Sequence, residues 1–344
     1  MPTTRPRSRS SVRNRCLLAV LVSISCSDRA KPHDTPGSGS VGSARPAVLP
    51  SVKHYTADTI VIDTPPIVLP KQEAFRLLAR GKGARAALRY RALAEPIEHH
   101  IETKLVSRQL ENGAFGKPVT LPAIRDGFHF LPIAGKPLLA RPLAVAIDGP
   151  VTPFVEHYVA PWKTKLQDRR ISVALDPRGQ LGAIVFNDDP LNQRSAAAKD
   201  ELVQRLLATT IPVPAEPVAT GAKWEVITVL RQGPLYVKQT ATYTLVARTK
   251  TAWKLHVKLL RVGEEQRVND PSIPRNVTAD LIALFRLLEG DVEVEPRWPL
   301  VARGSYTIES RLHAKLQAPG QPAVEQLTED TGTATFSTSP PSSP

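Results

Sequence analysis

Residues 235–249 read LYVKQTATYTLVART, and no other stretch limits the fold of this chain so tightly. Leu235, Val237, Ala241, Tyr243, Leu245 and Ala247 fall on one side of a period-two repeat. Lys238, Thr240, Thr242, Thr244 and Arg248 fall on the other. Side chains of an extended chain alternate between faces, so the pattern predicts a long strand with one buried and one solvated face. TAWKLHVKLLRV (251–262) repeats it, with Trp253, Leu255, Val257 and Leu259 set against Lys254, His256 and Lys258. KWEVITVLR (223–231) comes before, across the turn residues Gln232, Gly233 and Pro234. Alternating runs joined this closely predict an antiparallel meander. GSYTIESRLHAKLQ (304–317) extends the pattern through Tyr306, Ile308, Leu312 and Leu316.

Two segments carry helical spacing instead. SAAAKDELVQRLLATT (195–210) puts Leu202, Val203, Leu206 and Leu207 on one stripe, with Ser195 as its cap. NVTADLIALFRLLEG (276–290) spaces Leu281, Leu284, Phe285 and Leu288 the same way and ends on Gly290, a stop signal. AALRYRALAE (86–95) and IEHHIETKLVSR (97–108) read as strands, and ISVALDPRGQLGAIVF (171–186) as a hairpin turning at 176–179. Eight prolines between Lys117 and Pro161 rule out a long helix there and hold any strands to edges or short pieces. The expected fold is therefore α+β and mainly β. It is a large antiparallel sheet, curved toward an incomplete barrel, with two amphipathic helices packed on it. Both halves run strands and then a helix, so the folded body at 71–317 reads either as one unit or as similar halves, 71–210 and 216–317.

The amino-terminal region predicts a destination. Five arginines precede the apolar run LLAVLVSIS, and the interval from Cys16 to Cys26 is 11 residues. A helix rising about 1.5 Å per residue needs about 20 residues to cross a bilayer, so this run is too short. A basic leader, a short apolar core and small residues before a cut describe a secretory signal at 1–25. Ser23 and Ser25 suit a cut between Ser25 and Cys26. Residues 26–70, with SDRAKPHDTPGSGSVGSARP following Cys26, read as a flexible tether, and the core-poor tail at 318–344 as disordered.

Val22-Ser23-Ile24-Ser25-Cys26 resembles the acylation site of bacterial lipoproteins, which have an aliphatic residue, small residues and then the modified cysteine. Here the small residue before the cysteine is kept, while Ser23 and Ile24 depart from the pattern. The resemblance implies lipid attachment at Cys26. The alternative is ordinary cleavage that leaves a free thiol. The chain has two cysteines, and Cys16 lies in the leader, so the cut chain could form no internal disulfide. A lipid would also remove an exposed thiol. In the resembled family Ser27, rather than aspartate, after the cysteine accompanies delivery to the outer membrane.

The order of ALDPRGQLGAIVF, a helix, PVPAEPVATGAKWEV and long alternating strands resembles bacterial envelope lipoproteins of unknown function over roughly 165–316. The most recognisable piece is Pro217–Trp224. The layout also looks like envelope carriers whose incomplete antiparallel barrel wraps helices and can hold an acyl chain. Fold alone does not fix function.

Charge narrows the partners. The formal charge is +13, and removing the five leader arginines leaves about +8. Basic residues interleave with acids, as in KTKLQDRR (163–170), so a solvated mixed-charge surface is expected. Export makes nucleic acid the poorest partner, and none is expected.

No sequence of the Walker, G-x-S-x-G or H-E-x-x-H kind occurs. Glu98, His99, His100 and Glu102 form the most metal-like cluster, but exposed strand faces look the same and no distant His or Cys completes it. No metal and no cofactor is expected. Asn187, Asp188, Asp189 and Asn192 lack the register of a calcium loop and suit a turn before a helix. Gly37–Ser40 has linker composition. Trp224, Tyr243, Trp253 and Tyr306 are the candidates for lining a ligand cavity, with core filling as the alternative. The expected role is non-catalytic binding or scaffolding at a membrane surface, with a lipid or other apolar ligand in the cavity. A protein-interaction module without a cavity and an unrecognised hydrolase are the rivals. A concavity of a few hundred Å³ would separate carrier from scaffold.

Overall fold

The computed structural model describes residues 71–341, apart from 112–113, 134–136, 152–154, 157–168, 187–195, 233–234, 269–272 and 275. The leader, Cys26, the tether, Ser195 and the Asn187–Asn192 cluster lie outside the described residues.

In chain order the strands are β1 (Lys71–Arg80), β2 (Ile97–Glu111), β3 (Ala114–Phe115), β4 (Val119–Thr120), β5 (Ala123–Leu131), β6 (Leu138–Pro142), β7 (Ala146–Asp148), β8 (Ile171–Leu175) and β9 (Leu181–Phe186). After the helix α1 (Ala196–Thr209) come β10 (Ala222–Gln232), β11 (Leu235–Arg248), β12 (Trp253–Gly263), β13 (Gln266–Arg267), β14 (Thr278–Val294), β15 (Val301–Gln317) and β16 (Val324–Ser339). All join one antiparallel sheet, whose main path runs β1-β10-β11-β12-β14-β15-β16-β2-β5-β6-β8-β9. The expected meander is its centre. The sheet crosses between the two halves of the chain twice, where β1 pairs with β10 and β16 with β2.

The sheet does not close, but its ends come within side-chain contact. The guanidinium of Arg178, in the turn between β8 and β9, lies 5.9 Å from the ring centre of Phe75 on β1. Long strands broken by bulges allow such coiling, because each bulge adds local twist. Registers shift in β1 near Gln72 and Leu77, between Leu245 and Ala247 in β11, and twice between β14 and β15. The segment after β1 then leaves the sheet and runs along its inner side. Gly81 makes the exit possible: its φ is +76°, and a Cβ there would sit 2.3 Å from the carbonyl oxygen of Ala219.

Three sequence expectations change. The second helix is strand β14. Ile282 is the extra residue of a bulge between Leu281 and Ala283, so the buried residues fall at Leu281, Leu284 and Leu288. That bulge produces the i, i+3, i+7 spacing of a helix inside a strand. Gly290 lies mid-strand opposite Tyr306 rather than at a helix end. The tail is not disordered through 324–339: β16 sits between β15 and β2 and pairs with both. Residues 86–95 bury Leu88, Tyr90 and Leu93, yet make only an isolated bridge from Ala86 to Val218. Their backbone instead donates to Pro177 and Pro296 across the inner side.

The prolines act as punctuation. Pro122 and Pro132 flank β5, whose nine proline-free residues lie inside the sheet rather than at an edge. Pro137 precedes the short β6, and Pro142 ends it. No helix among the described residues is long and apolar enough to cross a membrane.

Candidate functional site

Helix α1 lies against the inner face of the sheet, and its sequence explains how. Leu202, Val203 and Leu206 are buried against Ile97, Phe128, Phe130, Ile171 and Ile184 of β2, β5, β8 and β9. Gln204 and Ala208, one turn apart, face elsewhere. The Arg261 guanidinium on β12 donates to Gln204 Oε1 at 2.8 Å, and Tyr306 Oη on β15 donates to the Ala208 carbonyl at 3.4 Å. Arg205 pairs with Asp126 of β5. The helix is thus tied to opposite regions of the sheet and spans the space between them.

Beneath it is a cavity of about 230 Å³. Its walls are mainly aliphatic: Ile101 and Leu105 of β2, Ile124 of β5, Leu284 and Leu288 of β14, and Ile308 and Leu312 of β15, with Phe336 of β16. An apolar cavity of ~150 Å³ accommodates benzene, so this one has room for more than one small ring.

A polar row crosses the cavity floor. Following the register from strand to strand, Thr228 faces Gln239, Gln239 faces Arg261 and Arg261 faces Arg286. Arg286 then faces Ser310, and Ser310 faces Asp330. The six residues occupy the inner face of β10, β11, β12, β14, β15 and β16. Apolar rungs flank them: Leu259–Leu288–Ile308 on one side, Leu284–Leu312 on the other. Arg261 is 4 % exposed and Gln239 3 %. Gln239 Oε1 accepts from Arg261 Nε at 2.8 Å, so amide oxygens from sheet and helix hold one guanidinium in place. Arg261, Arg286, Ser310 and Asp330 line the cavity, as does Arg205. Thr328 also lines it, 4 % exposed, and its Oγ1 has no hydrogen-bond partner among the described residues.

The four aromatic candidates lie elsewhere. Trp224, Tyr243, Trp253 and Tyr306 are 0–4 % exposed, belong to the packed core, and none lines the cavity. Trp224 stacks on Tyr243 at 5.6 Å, Trp253 meets Tyr90 at 5.3 Å, and Tyr306 meets Phe336 edge-on at 4.9 Å. Trp224 Nε1 donates to the Pro212 carbonyl at 2.8 Å, so its polar tip is satisfied inside the core. Burial raises the hydroxyl pKa of Tyr243 and of Tyr306, which keeps both neutral. Core filling is therefore their place, not cavity lining.

The Glu98–Glu102 cluster is split by the pleat. His99 is fully buried, whereas Glu98 and His100 lie 3.4 Å apart on the opposite face. Glu102 is engaged by Lys104 and Arg125 at 2.7 and 2.6 Å, and hydrogen bonds from these two hold its carboxyl below the usual range. Among the described residues no group of three or more His, Cys, Asp or Glu could hold a metal ion.

The polar row was visible in the sequence as a fault in each alternating run. Gln239 interrupts Val237 and Ala241, Ser310 interrupts Ile308 and Leu312, and Thr228 interrupts Val226 and Leu230. A single polar residue at an inward position of one strand looks like noise. Only the register shows that the interruptions align. Compared with known proteins, the chain matches no family model and no curated sequence.

Proposed function

We propose that this chain is an exported, lipid-anchored envelope protein that holds an apolar ligand, a lipid chain by preference, beneath α1. The observation that carries this reading is the 230 Å³ cavity between the helix and the aliphatic inner face of an unclosed sheet. A scaffold that only displayed its surface would fill that space with side chains, because interiors normally pack to crystal-like density. An unclosed antiparallel sheet around a helix is the layout of the envelope carriers that the sequence resembles. The leader and Cys26 supply the export signal and the anchor in this reading, and the outer membrane is the proposed destination.

The test is chemical. The full-length protein is purified from membranes of its expression host, denatured and extracted with organic solvent. Acyl chains covalently bound to Cys26 stay with the polypeptide. Mass spectrometry of the extract should find a non-covalent amphiphile at close to one per chain. Replacing Leu288 with Trp, which fills the cavity from its floor, should remove most of it. An extract free of lipid from well-folded protein would defeat the carrier reading, and so would equal yields from both proteins.

A further inference from the structure

We infer that the cavity selects a single-chain anionic amphiphile, with Arg286 binding the carboxylate or phosphate head and the flanking aliphatic rungs holding the chain. The inference rests on the carrier reading and adds the chemical class of the ligand.

The charge balance at the floor points this way. Arg261 and Arg286 face each other in register on adjacent strands, both directed inward. Like charges opposite one another across a strand pair are unfavourable unless something compensates them. Arg261 is oriented by the side-chain oxygens of Gln239 and Gln204. Arg286 makes no ion pair and no side-chain hydrogen bond to any described residue. Asp330, the one carboxylate among the described residues of the cavity wall, lies two strands away across Ser310. At about 4.8 Å between strands, that puts the backbones of Asp330 and Arg286 nearly 10 Å apart. Arg205, the third arginine of the lining, is already paired with Asp126.

An anionic head at Arg286 would engage a guanidinium that no described residue pairs. Guanidinium fits the planar, bidentate geometry of a carboxylate or phosphate better than an ammonium does. The apolar rungs on either side run parallel to the polar row, so a chain leaving that head lies against Leu284 and Leu312 or against Leu288 and Ile308. The volume is half as large again as a benzene-sized cavity, which admits one chain of roughly eight to ten carbons and not two.

Four probes applied to the delipidated full-length protein separate the possibilities: decanoate, decyl phosphate, decanol and inorganic phosphate, each measured by isothermal calorimetry. Decanoate and decyl phosphate should bind at least tenfold more tightly than decanol, and inorganic phosphate should give no measurable heat. Arg286→Leu should bring decanoate down to the affinity of decanol while leaving decanol unchanged. Arg286→Lys should keep part of the preference. Decanol binding as tightly as decanoate to the unaltered protein would overturn the head-group assignment and leave the carrier reading standing. Inorganic phosphate binding as well as decyl phosphate would also overturn it, in favour of a plain anion site. No binding of any ten-carbon probe would sink the carrier reading itself. The comparison of probes on unaltered protein decides the matter even if the leucine variant fails to fold.

Discussion

The imidazole of His99 has one proton to place. Its Nδ1 lies 2.8 Å from Thr338 Oγ1, and that hydroxyl already gives its only hydrogen to the Val301 carbonyl at 2.7 Å. Nδ1 must therefore be the donor, which leaves Nε2 a bare acceptor. Nε2 is buried with no partner among the described residues, and the ring lies parallel to Phe336 at 6.2 Å. A second proton would put a charge where no described group accepts it. Burial, helped by repulsion from His100, accordingly lowers the His99 pKa from 6.5 to about 3. In the unfolded chain the same group takes up a proton near pH 6.5. Its contribution is therefore complete above that pH and is lost as pH falls from 6.5 toward 3. His256 has the opposite sign: hydrogen bonds to Asp291 and Glu289 raise its pKa, so it favours the fold at lower pH. That group is largely solvated, so screening keeps its effect small and His99 dominates. Unfolding free energies from urea titrations between pH 7 and pH 4 should fall at up to about 1.4 kcal/mol per pH unit. His99→Leu should flatten the slope. An unchanged slope in the variant would reject the assignment.

At the scale of the element, β16 tests the architecture most severely. A disordered tail could be removed at no cost. A central strand cannot, because β15 and β2 would both lose their partner and the sheet would split. Truncation after Gln317 should remove the cooperative melt altogether, the equivalent of the ~5–15 kcal/mol that stabilises a domain. Circular dichroism reads this directly, and a truncated chain with an unaltered transition would contradict the placement of β16. The same strand shows why part of the fold was hidden in the sequence. Inward positions normally declare themselves by being apolar, but those of β16 include Thr328, Asp330 and Gly332 beside Ala334 and Phe336. Several of them face the cavity rather than packed side chains, so the strand lacks the apolar signature of a core element. The meander from β10 to β12, the hairpin of β8 and β9, β15 and α1 were legible because their inward residues are mostly apolar, with only single polar interruptions in the long strands. β14 was misread because its bulge imitates a helical period. The cavity itself was illegible, since it depends on which strands become neighbours, and β16 and β2 are far apart in the chain.

For the whole molecule, attachment and cargo are separable. If Cys26 carries the anchor, labelling cells with a radioactive fatty acid should mark the wild-type protein and not Cys26→Ser, and the variant should shift from the membrane pellet to the soluble fraction. Equal labelling of both would refute the anchor and leave the cavity argument untouched. The unclosed sheet bears on cargo in a different way. A sealed barrel has a fixed girth, because widening it breaks a whole ladder of backbone bonds. Here the ends of the strand order are joined through side chains and turns, such as Arg178 over Phe75 and the Tyr90 amide on the Pro177 carbonyl. Such a collar can loosen along one seam while every ladder stays intact, so if the chain is the carrier proposed above, guests of different bulk would be taken in by one backbone without unfolding any strand.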